Sequence, residues 1–162
     1  QNVFGARSTG VETAARWVSP SDWVTLDGNM TWMSYRNVAE DGPFGNFAGD
    51  RNPNTPYLQA NGTLGLATRD VAGSGYRMSL DSYLRYVHPF FLTWECLGLD
   101  EFKREIPAQL SLTQAITYAT PAAGGELSMS LEVANLTDAK LYDFFGVQRP
   151  GRGVYGKVGL RW

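Results

Sequence analysis

The stretch Tyr76-Arg-Met-Ser-Leu-Asp-Ser-Tyr-Leu-Arg-Tyr-Val87 alternates between mostly apolar and mostly polar side chains. Successive side chains of a β-strand point to opposite faces, so the pattern predicts a strand with two chemically different faces. Its apolar face holds Tyr76, Met78, Leu80, Ser82, Leu84 and Tyr86. Its polar face holds Arg77, Ser79, Asp81, Tyr83 and Arg85.

The same period of two recurs along the 162 residues and predicts an all-β protein. High glycine and aromatic contents, 18 glycines and 13% aromatic residues, agree with many turns and strands. Most of the predicted strands are longer than the mode of about 5–6 residues in soluble proteins. The seven strands are expected over 8–18, 23–36, 56–69, 76–88, 106–120, 127–137 and 151–162.

Ionic side chains gather on the polar face of the predicted strands. A soluble β-sandwich, with its apolar face turned inward, would show the same alternation, so alternation alone does not separate a soluble sheet from a membrane-spanning one. The charged residues in phase with this face are Glu12, Arg16, Asp27, Arg69, Arg77, Asp81, Arg85, Glu132, Lys157 and Arg161.

The connections between the predicted strands alternate between short and long. The short ones are 19–22, 70–75 and 121–126, and the long ones are 37–55, 89–105 and 138–150. A meander with short turns on one side and long loops on the other is typical of outer-membrane barrels. The sequence therefore predicts an antiparallel up-and-down transmembrane β-barrel, with the short turns in the periplasm.

Aromatic residues cluster near both ends of the predicted strands. Amphipathic rings are expected at the two interfaces of a membrane, although aromatic core filling is the alternative. Trp32 and Tyr86 lie toward the long loops. The residues toward the short turns are Trp17, Tyr76, Tyr118 and Trp162.

Several classes of function lack support in the composition. The net charge is −2 without a basic block, which excludes a nucleic-acid footprint. Cys96 and His88 are the only cysteine and histidine, so neither a disulfide framework nor a zinc site is expected. No nucleophile setting or carboxylate pair is recognisable, and we expect no enzyme activity, metal or cofactor. No apolar run suits a spanning helix, and no signal peptide is recognisable at Gln1.

One polar segment is similar to a calcium-binding loop. Asp50, Asn52 and Asn54 have the spacing of its first ligands, but Thr55 and Asn61 occupy positions that require glycine and glutamate. A polar loop is the default interpretation of this segment.

Strand parity predicts that the chain continues a larger structure. If Trp162 ends in the periplasm, the first strand also runs inward and residues 1–7 lie in an extracellular loop. Because a bacterial barrel usually has an even number of strands, we expect residues 1–162 to be its last seven strands. The missing strands would precede Gln1, on the same chain or on a separate piece.

Short motifs then suggest a family. Asn135-Leu-Thr-Asp138, Tyr142, and Arg149-Pro-Gly-Arg152 before the last strand resemble the end of TonB-dependent outer-membrane receptors of Gram-negative bacteria. Gly10-Val-Glu12 is similar to a recurrent strand start of that family, and Gly49–Pro56 leading into Ala60–Leu66 is also similar. The segment 89–105, with Trp94, Glu95 and Cys96, matches no family motif.

The resemblance implies a barrel of about 22 strands, closed by an N-terminal plug domain, in the bacterial outer membrane. Such receptors import ferric siderophores, other iron chelates or cobalamin. The implied partners are the rest of the barrel, the plug, the lipid bilayer, the TonB complex (through the missing part) and the barrel assembly machinery. The open alternatives are another outer-membrane barrel (a porin or a barrel enzyme) and a soluble β-sandwich binding module.

Three groups of residues are candidates for function. Long loops on a rigid scaffold commonly carry recognition, and aromatic rings with arginine suit anionic chelates, while loop-to-loop packing is the alternative. The loop candidates are Phe44, Phe47, Arg51, Tyr142, Phe144, Phe145 and Arg149. The lumen lining is expected from Asp27, Arg77, Asp81, Arg85 and Glu132. The alternation that ends the chain resembles a barrel-assembly signal, formed by Val158, Leu160 and Trp162.

Overall fold

The structure, a computed structural model, describes residues 5–68, 70, 73–94 and 104–162. Seven strands form one antiparallel sheet and follow one another across it in chain order, which confirms the predicted meander. Arg69, Glu95 and Cys96, named above, lie outside the described residues. The elements are β1 (Ala6–Val18), β2 (Val24–Asn37), the 3₁₀ helix η1 (Gly42–Phe47), β3 (Leu58–Thr68), β4 (Arg77–Val87), β5 (Phe90–Phe91), β6 (Glu105–Ile106), β7 (Gln109–Ala122), β8 (Gly125–Ala134) and β9 (Gly153–Arg161).

The register places the predicted apolar positions of all seven strands on one face, because directly opposed residues of antiparallel strands share a face. The rows continue from strand to strand: Leu66 lies opposite Leu80, and Ile116 lies opposite Leu131. The next row pairs Met129 with Val158. The two-faced strands predicted from the sequence are therefore confirmed.

The large sheet is a single layer. Its strands lie side by side, and no second sheet packs on its apolar face in the described ranges. Leu80, Leu131 and Val158 are 38%, 48% and 72% exposed. β1 and β9 are edge strands without an outer strand partner among the described residues, so the sheet is open.

The short and long connections alternate as predicted, but the third short turn is tighter than expected. The 121–126 turn contains only Ala123 and Gly124, since β7 continues through Pro121 and β8 begins at Gly125. Pro121 is tolerated because the pairing of β4 with β7 has already ended at Ala119. The N–H that proline lacks would therefore have had no partner on β4.

The Ala123-Gly124 turn offers a test of this hairpin. Both residues have positive φ angles, 47° and 79°, as a two-residue type I′ turn requires. Asparagine tolerates this region better than alanine, so we expect Ala123→Asn to stabilise the folded protein by about 0.5–1 kcal/mol. Denaturant unfolding measures the change. Destabilisation by Ala123→Asn would contradict the turn geometry.

Other strand ends differ from the prediction for local reasons. The predicted strand 106–120 is divided, because Pro107 separates β6 from β7. β8 stops at Ala134, three residues early, because Asn135 turns the backbone with φ 49°. Its side chain accepts a hydrogen bond from the N–H of Ala139 and donates one to the carbonyl of Ala139.

The buried apolar core lies at the long-loop end rather than between two layers. Val87, Phe90 and Ile106 form its centre, with Leu92 and Tyr142 packed against it. Val87 lies on the charged face of the sheet, and so do the buried residues Asn37 and Gln109. The long loops therefore fold over the polar face of the sheet. In the part of the chain that the structure describes, no helix has the length and apolar character needed to cross a membrane.

Candidate functional site

The described parts of the three long loops pack together at one end of the sheet, and we call this assembly the loop cap; it comprises residues 38–57, 88–94, 104–108 and 135–152. The two-residue strands β5 and β6 pair inside it and supply Phe90 and Ile106 to the core. The N–H of Tyr142 donates to Oε1 of Gln109 at 2.6 Å and so attaches the third loop to β7. The N–H of Asn54 donates to the carbonyl of Phe91 at 2.9 Å and joins the first loop to the second.

Helix η1 presents two of the predicted ligand-binding aromatics, Phe44 and Phe47. Both contact Trp94: the ring of Phe47 stacks on it at 4.9 Å between centroids, and the ring of Phe44 lies at 5.9 Å. Asn37, which is fully buried, anchors this segment by donating to the carbonyl of Phe44 and accepting from the N–H of Ala39. The first loop is therefore held by side-chain hydrogen bonds as well as by ring packing.

A second aromatic group surrounds Arg51. Its guanidinium lies 4.3 Å from the centroid of the Tyr57 ring, a cation–π geometry. The Tyr57 ring also packs on His88, at 4.1 Å between centroids. His88 Nδ1 and the hydroxyl of Tyr86 share a hydrogen bond of 2.9 Å. His88, the only histidine of the chain, is thus held by ring packing and a hydrogen bond beside the Arg51–Tyr57 pair.

The third loop carries the remaining candidates. Tyr142 packs against the core, and the ring of Phe144 meets Phe90 edge-on at 6.0 Å. Phe145 is the most exposed aromatic residue of this loop, at 76%. The side chain of Asp143 organises the turn by accepting hydrogen bonds from two backbone N–H groups. Arg149 is exposed, and its N–H donates to the carbonyl of Leu141.

The structure gathers the predicted loop candidates at the same end but in separate groups. Phe44 and Phe47 belong to the group around Trp94, whereas Tyr142 and Phe144 belong to the core group. Trp94, Tyr57, His88 and Asn52 complete the cap and were not predicted as site residues. The alternation of short and long connections was the one sequence signal that pointed toward these residues, because it predicts that segment 89–105 lies at the same end as the other two long loops.

The predicted lumen-lining residues share the polar face, and two ion pairs between described residues form on it. Arg16 Nε lies 3.7 Å from a carboxylate oxygen of Asp27, on neighbouring strands. Arg77 of β4 pairs with Glu126 of β8 and reaches across β7 near Ala119. The side chains are partly exposed in the described chain, where such pairs contribute at most about 1 kcal/mol. Their consistent placement defines an ionic surface.

The apolar face is bordered by rings at both ends. At the short-turn end, Tyr76 and Tyr118 stack at 5.8 Å between centroids, and Trp17 lies at the same end of the sheet on β1. Trp32 marks the long-loop end, and beyond it Arg36 lies opposite Arg7 in phase with the apolar face. On the described parts of β1 and β2, the cationic side chains of this face therefore lie nearer to the long loops than Trp32 does.

The predicted assembly signal lies on the free edge of the sheet. Val158 and Leu160 of β9 are exposed, and Trp162 is 93% exposed. β9 pairs with β8 on one side only among the described strands. Its other side therefore offers backbone groups for strand addition.

The described residues contain no cluster of three or more histidine, cysteine, aspartate or glutamate side chains that could hold a metal ion. What they define is an all-β protein with an open, two-faced antiparallel sheet and a packed loop cap at one end. In comparisons with known proteins, no protein-family model matches the chain, and no curated protein has a significantly similar sequence.

Proposed function

We propose that this chain forms part of the barrel wall of a TonB-dependent outer-membrane receptor, which binds and imports a scarce nutrient such as a ferric siderophore or another iron chelate. The observation that carries the proposal is the continuous apolar face of a single-layer sheet, exposed on all seven strands. The motif resemblance and the alternating loops support the same assignment.

The apolar face needs a covering that the described chain does not supply. Burial of apolar surface is worth about 25 cal/mol per Å², and a patch of about 400 Å² therefore corresponds to about 10 kcal/mol. Exposed leucine, methionine and isoleucine side chains occupy successive strands of this sheet, including Leu26, Leu64, Leu80, Ile116 and Leu131. Lipid chains cover such a face without a second protein layer, and strands of 9 to 14 residues are long enough to span a bilayer.

The opposite face suits the inside of a barrel. Arg77, Asp81 and Glu132 lie on it, and the Arg77–Glu126 pair spans three strands. A polar interior is typical of transmembrane barrels, whether it holds water or an inserted plug. In a receptor this surface would contact the plug domain.

The two ends of the sheet support an orientation. The long-loop end would face outward, where the loop cap folds over the polar face and lies at the mouth of the lumen. Phe44, Phe47 and Arg51 would meet an incoming ligand there, together with Phe144 and Arg149. The edges of β1 and β9 would pair with the rest of a barrel of about 22 strands, and the plug would engage the TonB complex.

Uptake measurements test the proposal. We expect a strain that lacks the gene to lose uptake of one radioactive ferric chelate, and the complemented strain to regain it. Uptake should stop when the proton-motive force is collapsed, because import through a plugged receptor needs energy from the inner membrane. Uptake that continues without the proton-motive force would instead indicate a passive porin. Recovery of the protein in the soluble fraction would contradict the membrane assignment.

A further inference from the structure

Two arginines lie opposite each other where the apolar face of the sheet meets the loop cap. Arg7 of β1 is in register with Arg36 of β2, two rows beyond Trp32. The row between them and Trp32 holds the hydroxyl side chains of Thr9 and Ser34. Toward the long loops, this face of β1 and β2 therefore changes from apolar to aromatic, then to hydroxyl and finally to cationic.

Neither arginine forms an ion pair within the part of the chain that the structure describes, and both are exposed. Arg36 donates hydrogen bonds to uncharged acceptors, from Nη1 to the carbonyl of Gly49 at 2.6 Å and from Nε to the hydroxyl of Ser34 at 3.3 Å. Like charges that lie directly opposite each other on neighbouring strands are destabilising. An anion bound by both guanidinium groups would remove this repulsion.

An open groove beside the two arginines gives such an anion access. It measures about 590 Å³, and its lining includes Arg7, Thr9, Ser34, Arg36 and Glu40. Glu40 is the only acidic residue among the described residues of the lining, so positive charge predominates there. The bond from Arg36 to Gly49 fixes one guanidinium group in advance.

The position of the groove favours a phosphate that belongs to a lipid. Arginine is well suited to phosphate, because its planar guanidinium can donate two parallel hydrogen bonds to phosphate oxygens. The same face continues from the arginines to Trp32 and the apolar rows, so the acyl chains of a bound lipid would cover them. In membrane proteins, aromatic rings mark the interface, and arginines near the ends of spanning segments reach the headgroups. A soluble phosphate would leave the apolar rows uncovered.

We propose that Arg7 and Arg36 bind the phosphate of a membrane lipid, in the leaflet on the long-loop side of the sheet. The inference rests on the lipid-facing sheet of the proposed function, but it does not depend on a transported ligand. Thr9 and Ser34 lie within the same groove and would donate further hydrogen bonds to the headgroup. The bound lipid would attach the first hairpin to the bilayer surface.

Unfolding of the purified full-length protein by urea in lipid vesicles tests the site. Phosphatidylcholine vesicles are compared with vesicles that contain increasing fractions of phosphatidic acid with the same acyl chains. Because a ligand of the folded state raises the unfolding midpoint, we expect phosphatidic acid to raise the midpoint in a saturable manner. Inorganic phosphate, added to phosphatidylcholine vesicles at the same total concentration, should leave the midpoint unchanged.

Arg7→Gln is the specific variant, because the Arg7 side chain makes no hydrogen bond or ion pair with the described residues. It should need at least about fivefold more phosphatidic acid for the same shift, whereas Arg7→Lys should keep most of the response. The matched control is Arg16→Gln, on the polar face of the same strand, which should respond like the wild type. Glu40→Gln should strengthen the response, because it removes a carboxylate from the groove.

In pure phosphatidylcholine, Arg7→Gln should unfold at the same urea concentration as the wild type or at a higher one, because a like-charge pair is removed. A lower midpoint would show that another group of the protein already neutralises Arg7, and would contradict the proposal. Equal responses of the wild type and Arg7→Gln to phosphatidic acid would overturn the lipid site. An equal shift with inorganic phosphate would assign the two arginines to a soluble anion and would overturn it as well.

The outcomes for this site and for the receptor are distinguishable. Energy-coupled uptake by a protein that lacks the lipid response would refute the lipid site and leave the receptor proposal standing. A lipid response that depends on Arg7, in a protein without energy-coupled uptake, would refute the receptor proposal and support the lipid site.

Discussion

Placing an arginine at position 131 should prevent stable insertion of the sheet into a bilayer. Leu131 lies near the middle of β8 on the apolar face, between Ile116 of β7 and Gly156 of β9. If this face meets lipid, Leu131→Arg brings a charge to the hydrocarbon core at a cost of about 2–4 kcal/mol. The ratio of folded to unfolded protein should fall about 30-fold or more, since about 1.4 kcal/mol is a factor of ten.

The neighbouring Ser130 provides the matched control. It lies on the polar face at nearly the same depth, opposite Thr117 and Lys157. Ser130→Arg should therefore fold almost as well as the wild type, because its side chain enters a polar interior. Refolding of the full-length protein from urea into phosphatidylcholine vesicles, followed by the gel shift of folded and heat-denatured forms, measures both variants. Equal losses for both variants, or folding of the wild type without vesicles, would refute the lipid-facing assignment.

Truncation of the cap core should release the long loops without unfolding the sheet. Ile106 is 3% exposed and packs with Val87 and Phe90. Ile106→Ala removes buried methyl and methylene groups and leaves a cavity, at a typical cost of about 2–5 kcal/mol. The β-ladders between the long strands do not depend on this contact, so the loss should be local.

Hydrogen exchange measures this release. The N–H groups of Asn54, Leu92 and Tyr142 bond across or within the cap, and in Ile106→Ala they should exchange about 30-fold faster or more. The matched control is Val147→Ala, since Val147 belongs to the same cap but is 62% exposed. It should change exchange little, because exposed positions usually contribute within about 0.5 kcal/mol. Faster exchange throughout the sheet in Ile106→Ala would contradict a local core.

The loop cap also explains why the predicted ligand residues and the residues that the cap brings together overlap only in part. Composition and loop length correctly placed Phe44, Phe47 and Arg51 at one end of the protein. Their neighbours Trp94 and Tyr57 could not be assigned, because contacts between loops have no sequence period. Asn52 and Thr93 line the same small cavity of the loop cap although they lie 41 positions apart in the chain, and only the packed structure reveals this proximity.

The sequence by itself determined the seven strands, their two faces and the alternation of turns and loops, because side-chain alternation along a strand is a local property with a period of two. The tertiary structure alone decided which residues of distant segments meet. Register brought Arg77 to Glu126 across an intervening strand, and loop packing formed the core around Val87, Phe90 and Ile106. These contacts depend on the spatial course of the whole chain, which no local pattern encodes.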